Sequence, residues 1–353
     1  MHIIRVLMIT PRVDPEEDVF GFIYYWVKEL GSRVDRLVVL TVRSGSREHL
    51  SKLPPNTVVY EIGDRRGISR LIYAAKTIVR AILKERIDVV FTHMYVEFAL
   101  FATPIARIFR KPVVMFYAHG AVDFKLRVAA LLVDRVATSS EKGFRINTSK
   151  RVIVGQGIDV EKFRGASNPD GKTVLYVGRI SPVKNIDVLI KAAGMIGDRE
   201  VEVVIVGKPY EKDSGYMEFI KEEIKRQGLE GRVKLVGDVP HERVVEYYRR
   251  ATVFVNPSAT GSLDKTVLEA MACEVPVVTC NEAFYDIFDD EMREKCMFAP
   301  GDYEELAGKI EHFITHEERA LKKRLRRIVE EGHSIGKLAD NLVEVFRSVV
   351  RRG

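Results

Sequence analysis

Short apolar runs alternate with longer stretches of helical period, and this alternation limits the fold more than any other feature of the chain. We predict strands in the first half at Ile3–Ile9, Arg36–Val42, Val58–Ile62, Asp88–Thr92, Val113–Tyr117, Arg135–Ser139 and Arg151–Val154. Helices are predicted between them, for example at Phe22–Gly31 and Ser69–Glu85. A regular β-α succession predicts a parallel sheet with helices on its faces.

A second β-α series begins after Gly165–Gly171, a segment rich in turn residues that we interpret as a linker. Its predicted strands are Thr173–Val177, Glu202–Val206, Val233–Val236, Thr252–Val255, Val275–Thr279 and Cys296–Phe298, with closing helices at Leu321–Glu331 and Ser334–Val350. A chain of 353 residues exceeds what one core normally supports. We therefore predict an N-terminal domain at 1–165, a second domain at 172–333 and a cleft between the carboxyl ends of their sheets.

Charge is divided unevenly between the two halves. Residues 1–168 contain 27 Lys and Arg against 17 Asp and Glu, a net of +10, whereas the remainder has 29 against 33, a net of −4. A solvated surface with ion pairs suited to heat explains this equally well as a first half that faces an anionic membrane, a lipid phosphate or an acidic glycan. No nucleic-acid-binding signature accompanies the basic residues, so nucleic acid is not an expected partner.

The cysteines and the apolar runs bear on localisation. Cys273, Cys280 and Cys296 form neither a metal-ligand pattern nor a disulfide framework, which favours a reducing cytoplasm. No apolar run approaches the roughly 18 residues that a membrane span needs. We expect a cytoplasmic protein, with the inner face of the membrane as a candidate location.

The segment Tyr176–Asn185 has the composition of a diphosphate site. A predicted strand ends at Gly178, Arg179 follows, and Lys184 comes five positions later near the start of a helix. A guanidinium fork, an ammonium and free backbone N–H groups are what a diphosphate requires. From spacing alone, ordinary surface-loop charges remain the better interpretation.

A second polar loop follows the strand at Thr252–Val255. A helix is predicted to begin near Asp264, so its first turn offers unpaired N–H groups to an anion. Glu269 lies about one and a half turns into this helix, where its carboxylate could accept hydrogen bonds from ribose hydroxyls. The structural alternative is that Asp264 caps the helix and Lys265 is an exposed charge.

These segments together resemble the retaining glycosyltransferase family 4. The resemblance rests on Gly178-Arg179 with Lys184, on the Leu-Glu-Ala-Met-Ala helix that carries Glu269, and on Pro276-Val277-Val278. It extends to the first half through two further segments: Phe116-Tyr117-Ala118-His119-Gly120, and Gln156-Gly157-Ile158-Asp159 followed by Phe163. The resemblance implies a GT-B fold, an α/β architecture of two facing doubly wound Rossmann-like domains. It also implies that the helix in 334–353 packs back onto the first domain.

The resemblance also implies roles for individual residues. Arg179 and Lys184 would hold the donor diphosphate, Glu269 the ribose, and His119 the donor sugar or its phosphate. The remaining implied donor-binding residues are Gly21, Gly178, Val239, Ser262, Leu263, Asp264, Lys265 and Thr266. The implied reaction needs no cofactor and no metal, in keeping with the lack of an Asp-X-Asp motif, and uses a UDP-, GDP- or ADP-sugar with a glycan or lipid-linked acceptor.

Three positions depart from the family pattern. Gly261 stands where the family has a second glutamate that holds the donor sugar. The usual Gly-Gly of the first loop is Phe20-Gly21, which leaves close approach to phosphates possible only at Gly21. Glu274 replaces the glycine that commonly ends the Glu269 helix, which we interpret as a local capping change.

Several alternatives stay open from the sequence. His119 can be a hydrogen-bonded structural histidine. His93, at a similar strand end, and the following Tyr95 and Glu97 are candidates for the acceptor side. A nucleotide-sugar 2-epimerase on the same fold, or a nucleotide-sugar-binding subunit without catalysis, would have the same donor-site residues.

Overall fold

The computed structural model describes residues 4–17, 20–165, 169, 171–259 and 261–350. Contacts divide the chain into two units, Met1–Gly157 with Ser334–Gly353, and Ile158–His333. The first unit contains β1 (Arg5–Val13), α1 (Phe22–Gly31), β2 (Arg36–Ser44), α2 (Arg47–Ser51), β3 (Thr57–Glu61), α3 (Gly67–Lys84), β4 (Val89–His93), α4 (Val96–Ile108), β5 (Val113–Phe116), α5 (Phe124–Leu132), β6 (Arg135–Thr138) and β7 (Arg151–Ile153).

Over the described residues, these strands form one parallel sheet in the order β3-β2-β1-β4-β5-β6-β7. The order reverses between β1 and β4, which pair from Val6 opposite Val89 to Ile9 opposite Thr92. One face of the sheet packs on α3, α4 and α5, and the other on α1 and on residues of the C-terminal segment. Both faces are covered, which explains why the strands read as continuous apolar runs.

The second unit repeats the arrangement with fewer strands. Its elements are β8 (Lys172–Val177), α6 (Ile186–Met195), β9 (Val201–Val206), α7 (Ser214–Arg226), β10 (Val233–Gly237), α8 (Val244–Arg250), β11 (Val253–Asn256), α9 (Lys265–Ala272), β12 (Val277–Thr279), α10 (Asp290–Cys296), α11 (Tyr303–Thr315) and α12 (Arg319–Ile328). Among the described residues, the strands form a parallel sheet in the order β10-β9-β8-β11-β12. Its order reverses between β8 and β11, and a crevice at such a reversal is where doubly wound sheets bind ligands.

The C-terminal helix α13 (Ile335–Val350) belongs to the first unit. Its buried Leu338, Leu342 and Phe346 join the core that contains Trp26 and Phe91, with the Phe346 and Phe91 rings 5.2 Å apart. The chain therefore leaves the first unit, builds the second and returns.

The unit boundary lies earlier than the sequence suggests. The first unit ends at Gly157, whereas we predicted its end at 165 and a linker at Gly165–Gly171. The side chains of Ile158 and Phe163 explain the difference, because both are buried in the core of the second unit. Residues 166–168 and 170 of the predicted linker lie outside the described residues.

Three predicted elements differ in detail. Cys296–Phe298 is not a strand, because α10 continues to Cys296 and Met297 makes a single bridge to Thr279. The predicted helix at Leu321–Glu331 ends at Ile328 and is followed by a π-helical turn at Val329–His333. Conversely, β1 runs through Pro11 to Val13, four residues beyond the predicted end.

Pro11 is tolerated in β1 for a simple reason. Pairing of β1 with β4 ends at Ile9, so the last part of the strand pairs with β2 alone. Proline lacks an N–H group and is acceptable where one side of a strand has no partner. Among the described residues, no helix has the length and apolar character that a bilayer crossing requires.

Candidate active site

The loops that follow β8 and β11 are tied together at the carboxyl edge of the second sheet. Asn185, with a left-handed φ of 48°, donates its side-chain N–H to the Pro257 carbonyl at 3.3 Å. The Ser258 hydroxyl donates to the Val183 carbonyl at 3.3 Å. Two segments about 70 residues apart in sequence therefore form one surface, because their strands are neighbours in the sheet.

Arg179 follows β8 directly and its side chain is about one-third exposed. Its Nε donates to the Ser181 hydroxyl at 3.3 Å and lies 4.0 Å from a carboxylate oxygen of Asp213. The guanidinium also lies 4.5 Å from the ring centre of Tyr210. The contacts orient the guanidinium and leave part of its fork of N–H donors exposed to an anion. Neither Tyr210 nor Asp213 belongs to a pattern that the sequence reveals.

Lys184 ends a short 3₁₀ turn at Pro182–Lys184 and forms an ion pair with Asp264. The Lys184 Nζ donates to Asp264 at 2.8 Å, and both side chains are more than four-fifths buried. The second carboxylate oxygen of Asp264 accepts from the side-chain amide of Asn256 at 2.8 Å. Lys184 is thus already paired with a carboxylate at the place where we predicted a diphosphate ligand.

Asp264 occupies the N-cap position of α9, yet its side chain does not cap the helix. Its carboxylate binds Lys184 and Asn256 instead of the first-turn N–H groups of the helix. Asp264 therefore lies at the N-cap position, as the structural alternative predicts, but its side chain does not cap the helix. An uncapped helix N-terminus is a favourable place for an anion.

The loop before α9 is fixed by contacts within the second unit. The Ser262 carbonyl accepts from the amide of Asn281 at 2.8 Å, and the Leu263 side chain is buried in the core. Lys265 is partly buried rather than an exposed charge. Burial lowers the pKa of Lys265 to about 7, and nearby Glu269 opposes this shift.

Glu269 is buried and already has two hydrogen-bond partners. The Tyr248 hydroxyl donates to one carboxylate oxygen at 3.0 Å, and His241 Nε2 lies 3.1 Å from the other. His241 Nδ1 in turn lies 2.8 Å from Lys162 Nζ. Each carboxylate oxygen has two lone pairs, so Glu269 retains capacity for a further donor such as a ribose hydroxyl. His241 was missed by sequence reasoning, although it lies only two residues after Val239, which the resemblance implies as a donor-binding residue.

Glycines at the ends of β8 and β9 allow a close approach of two backbones. Gly207 has a φ of 140°, and a Cβ there would lie 1.9 Å from the Gly178 carbonyl oxygen. Gly178 itself takes a φ of 156°. Only glycine can occupy position 207. The close contact between Gly207 and the Gly178 carbonyl fixes the backbone from which Arg179 extends. Val239 lies in the loop after β10 and packs partly on the core.

His119 follows β5 in the first unit and is exposed. Its ring Nδ1 accepts from the Ala121 backbone N–H at 3.1 Å, and the backbone N–H of His119 donates to the Gly143 carbonyl. An accepting Nδ1 requires the proton of the neutral ring to be on Nε2, which makes Nε2 a donor. The predicted role of His119 as a ligand of donor sugar or phosphate requires such a donor.

His93 is buried rather than available to an acceptor. It has no exposed surface and its Nδ1 lies 3.1 Å from the Thr10 hydroxyl. Its ring packs against Trp26 at 4.6 Å and Phe116 at 5.4 Å. The prediction that it lines the acceptor side is wrong for this structure, because the aromatic core encloses the ring. It links the adjacent ends of β1 and β4 instead.

Tyr95 and Glu97 lie on the surface at the same sheet edge. Both line a cavity of about 550 Å³ that also includes Arg12 and Phe20. Lys125 donates to the Glu97 carboxylate at 2.9 Å and lowers its pKa, so the carboxylate stays ionised. Between β4 and Tyr95, Met94 has a φ of 75°, a strained value that often marks functional loops.

Gly21 precedes α1, and its neighbourhood is closed by its own loop. A Cβ at this position would lie 2.6 Å from the Glu17 carbonyl oxygen and 2.8 Å from that of Pro15. Its backbone N–H donates to the Glu17 carbonyl at 2.9 Å. The packing of this loop explains the glycine, and a phosphate contact at Gly21 stays a prediction.

The described residues contain one group of potential metal ligands, Asp14, Glu16 and His49, whose ligand atoms lie within 4.8 Å of one another. They belong to the first unit. The His49 nitrogens lie 3.8 to 3.9 Å from the two carboxylates, which are the separations of loose ion pairs, and exposed acidic groups of this kind are common without a metal ion. Independence from metal remains an expectation.

Comparison with known proteins agrees with this architecture. The profile described as "Glycosyl transferases group 1" matches residues 157–333, and that described as "Glycosyltransferase Family 4" matches residues 21–157. The fold of two parallel-sheet units is that of a glycosyltransferase. The chain belongs to glycosyltransferase family 4.

Relatives and solved structures extend the comparison. D-inositol 3-phosphate glycosyltransferase 2 of Catenulispora acidiphila is 31% identical over 189 residues, which are 48% of this chain and 44% of that protein. The matches span less than half the length of the curated relatives. Anabaena Alr3699/HepE in complex with UDP and glucose is 17% identical with a TM-score of 0.77, covering 98% of this chain and all of that one. Sucrose-phosphate synthase from Thermosynechococcus elongatus is also 17% identical with a TM-score of 0.77, covering 99% and 100%.

Proposed function

We propose that this glycosyltransferase moves a hexose-type sugar from a nucleoside-diphosphate donor to a glycan or lipid-linked acceptor with retention of anomeric configuration. The observation that carries the donor assignment is the joining of the β8 and β11 loops through Lys184 and Asp264. Since β8 and β11 are neighbours in the sheet and this ion pair joins their loops, Arg179 and the N-terminus of α9 lie along one edge.

The chemistry of that edge suits a diphosphate leaving group. As the bond to the sugar breaks, negative charge grows on the diphosphate, and the Arg179 guanidinium with the first-turn N–H groups of α9 would stabilise it. Lys184 would contribute its positive charge while shared with Asp264. Glu269, fixed by Tyr248 and His241, would accept hydrogen bonds from the ribose.

Retention would follow if the leaving phosphate itself takes the proton of the acceptor hydroxyl on the face from which it departs. Such a reaction passes through an oxocarbenium-like state and needs no protein nucleophile, unlike the paired carboxylates of retaining hydrolases. Neither a cofactor nor a metal enters this scheme. The first unit would supply the acceptor residues Tyr95 and Glu97, and His119 would donate to the donor sugar or its phosphate.

The comparisons suggest where to begin with substrates. UDP is bound in the Anabaena structure, and phosphorylated sugars or polyols appear in the names of several relatives. UDP-sugars are therefore the first donors to test, ahead of GDP- and ADP-sugars, and phosphate-bearing acceptors are the first class of acceptor.

A peripheral contact with an anionic membrane, at the inner face of the cell membrane, is part of the proposal. Helices α3, α4 and α5 cover the same face of the first sheet, and each carries an apolar side chain open to solvent, such as Leu83, Ile108 and Phe124. Basic residues dominate this half of the chain. Cosedimentation with phosphatidylglycerol vesicles but not with phosphatidylcholine vesicles, weakened by salt, would support the contact.

The donor site has a direct test. We expect calorimetry to detect binding of one class of nucleotide sugar without added metal, and Arg179→Ala to weaken it by at least tenfold, because a charge-assisted contact is lost. Arg199→Ala is the matched control, since Arg199 is an exposed arginine in the turn before β9, at the opposite edge of the sheet. Unchanged binding in Arg179→Ala would remove the central role of Arg179.

Product analysis distinguishes the transferase from an epimerase on the same fold. A transferase releases a nucleoside diphosphate only as a glycosylated acceptor accumulates. An epimerase instead equilibrates two nucleotide sugars with no acceptor present. Donor binding without either product would indicate a subunit that binds and does not catalyse.

A further inference from the structure

An apolar cavity of about 600 Å³ lies in the first unit next to the cavity that contains Tyr95. Its floor is formed by Ile9 of β1 and Leu40 of β2, and its walls come from α3 and α4. Pockets of about 300–1,000 Å³ are the size that buries small ligands. Three residues, Arg70, Glu97 and Phe98, line both cavities, so the two are adjacent.

The entrance to the cavity is apolar and open. Ile68 and Leu71 on the first turns of α3 line it and are 75% and 52% exposed. Large apolar side chains that line a cavity and also contact water are typical of binding sites rather than of a closed core. The cavity therefore has the surface that a hydrocarbon chain would cover.

Two of the three charged side chains that line this pair of cavities are arginines, and the Nε of one of them, Arg12, lies 3.5 Å from a carboxylate oxygen of Glu17. Arg70 is exposed where the two cavities meet, and Arg12 lines the outer one. Glu97 is the carboxylate shared by both cavities, and its charge is balanced by Lys125. The first turn of α3 has no acidic residue and no side-chain cap. An anionic group would be favoured here by the arginines and by the helix N-terminus.

We propose that the two cavities together bind one anionic amphiphile, with its single hydrocarbon chain in the apolar cavity and its phosphate-bearing head beside Arg70 and Arg12. The proposal rests on the proposed function, because the head would lie at the carboxyl ends of β1 and β4, where the acceptor is expected. It assigns the acceptor to lipid phosphates rather than to free glycans.

The proposal predicts how binding depends on chain length. We would titrate the full-length protein with hexyl, octyl, decyl and dodecyl phosphate below their aggregation concentrations and follow binding by calorimetry. Affinity should rise about fourfold per methylene while the chain fills the cavity, and then level off. Affinity that does not depend on chain length would overturn the proposal.

Matched variants on α3 separate the cavity from the helix surface. Leu71→Asn should weaken binding of decyl phosphate at least tenfold, whereas Ile72→Asn should not, because Ile72 is similarly exposed but does not line the cavity. Ala74→Trp, which fills the cavity, should act like Leu71→Asn. Equal losses in Leu71→Asn and Ile72→Asn would indicate a docking face for a membrane or a second copy and would overturn the proposal.

A charge control completes the test. Arg70→Ala should weaken decyl phosphate more than decyl glucoside, which is neutral, and Lys76→Ala on the same helix should affect neither. UDP-sugar binding is measured in every variant. Loss of chain-dependent binding with donor binding intact would contradict only this inference, while absent donor binding with chain-dependent binding intact would contradict only the proposed function.

Discussion

The largely buried ion pair between Lys184 and Asp264 makes Lys184 a poor position at which to test donor binding by mutation. Removal of Lys184 would leave the Asp264 carboxylate buried with a single amide donor, Asn256, at normal hydrogen-bond distance. Such a variant would lose stability and ligand binding together, because an uncompensated buried charge is costly. Arg179 is more exposed and its nearest acidic contact, Asp213, is at 4.0 Å. Substitution of Arg179 therefore reports on the donor more directly.

Lys265 should take up a proton when a diphosphate binds. Its pKa of about 7 leaves most of it neutral at pH 8, and a nearby diphosphate would raise that pKa. We expect calorimetry at pH 8 in HEPES and in Tris to show uptake of a large fraction of one proton per nucleotide sugar. Donor affinity should also weaken as pH rises above 7.

The variant Lys265→Met serves as the comparison for that experiment. It should bind the donor with less proton uptake and with a flatter pH dependence. Equal uptake in both proteins would mean that another group carries the proton and that Lys265 does not contact the diphosphate.

His333 makes the second unit sensitive to acid. Burial lowers its pKa to about 4 from an ordinary 6.5, so the folded state holds the neutral ring. Above pH 6.5 the ring is neutral in both the folded and the unfolded chain, and this group does not lower the free energy of unfolding. Below pH 6.5 the unfolded chain takes up a proton that the folded chain does not, so the free energy of unfolding falls until the pH approaches 4.

Urea unfolding at pH 7 and pH 5 measures this effect. Between the two values the wild type should lose about 2 kcal/mol more than His333→Gln, since 1.5 pH units below 6.5 correspond to that free energy. Carboxylates contribute equally to both proteins and cancel in the comparison. Parallel losses would exclude His333 as the group responsible.

At the scale of elements, the backbone at the end of α9 has a conformation that favours glycine, but the residue there is Glu274. The Glu274 N–H donates to the Met271 carbonyl and the Val275 N–H to the Ala270 carbonyl, the pattern of a Schellman motif. Glu274 adopts a φ of 56°, which favours glycine. Glu274→Gly should therefore raise the free energy of unfolding by about 1 kcal/mol without changing donor binding.

The control for this variant is Glu274→Ala. It removes the same carboxylate but keeps the β-carbon, so it should bring no gain in chemical denaturation. A gain as large as that of glycine would show that the carboxylate, rather than the backbone conformation, is unfavourable there.

The β-α alternation predicted the strands and the parallel sheets because buried parallel strands are continuous apolar runs. It failed at Cys296–Phe298, where Cys296 ends α10 and Met297 makes only a single bridge. It also failed at Pro11, because the pairing of β1 with β4 ends before the pairing with β2. The β-α alternation could not predict contacts between segments that are distant in the sequence. The Lys184–Asp264 pair spans 80 residues and the His241–Glu269 contact 28, so no local pattern marks either one.

At the scale of the molecule, the first unit depends on the last helix of the chain. Leu338, Leu342 and Phe346 bury their side chains in its core, each worth roughly 1.5–3 kcal/mol. That sum is comparable to the typical net stability of a domain, about 5–15 kcal/mol. A chain ending at His333 should lose hydrogen-exchange protection in β1 to β7 and keep it in β8 to β12.

Single substitutions in α13 give the graded version of this test. Phe346→Ala should destabilise the first unit by about 3–5 kcal/mol, and Glu344→Ala, an exposed position on the same helix, should have little effect. Equal protection in the truncated and full-length chains would show that α13 is dispensable for the first sheet.

The chain enters the second unit at Ile158 and leaves it at His333, and the Ile158 N–H donates to the His333 carbonyl at 2.8 Å. The ends of the second unit therefore meet, as the ends of an inserted cassette must. Chain ends that meet allow a domain to be inserted or exchanged without altering the path of the surrounding chain. Under the proposed function, most of the residues that would bind the donor lie within this one continuous insertion.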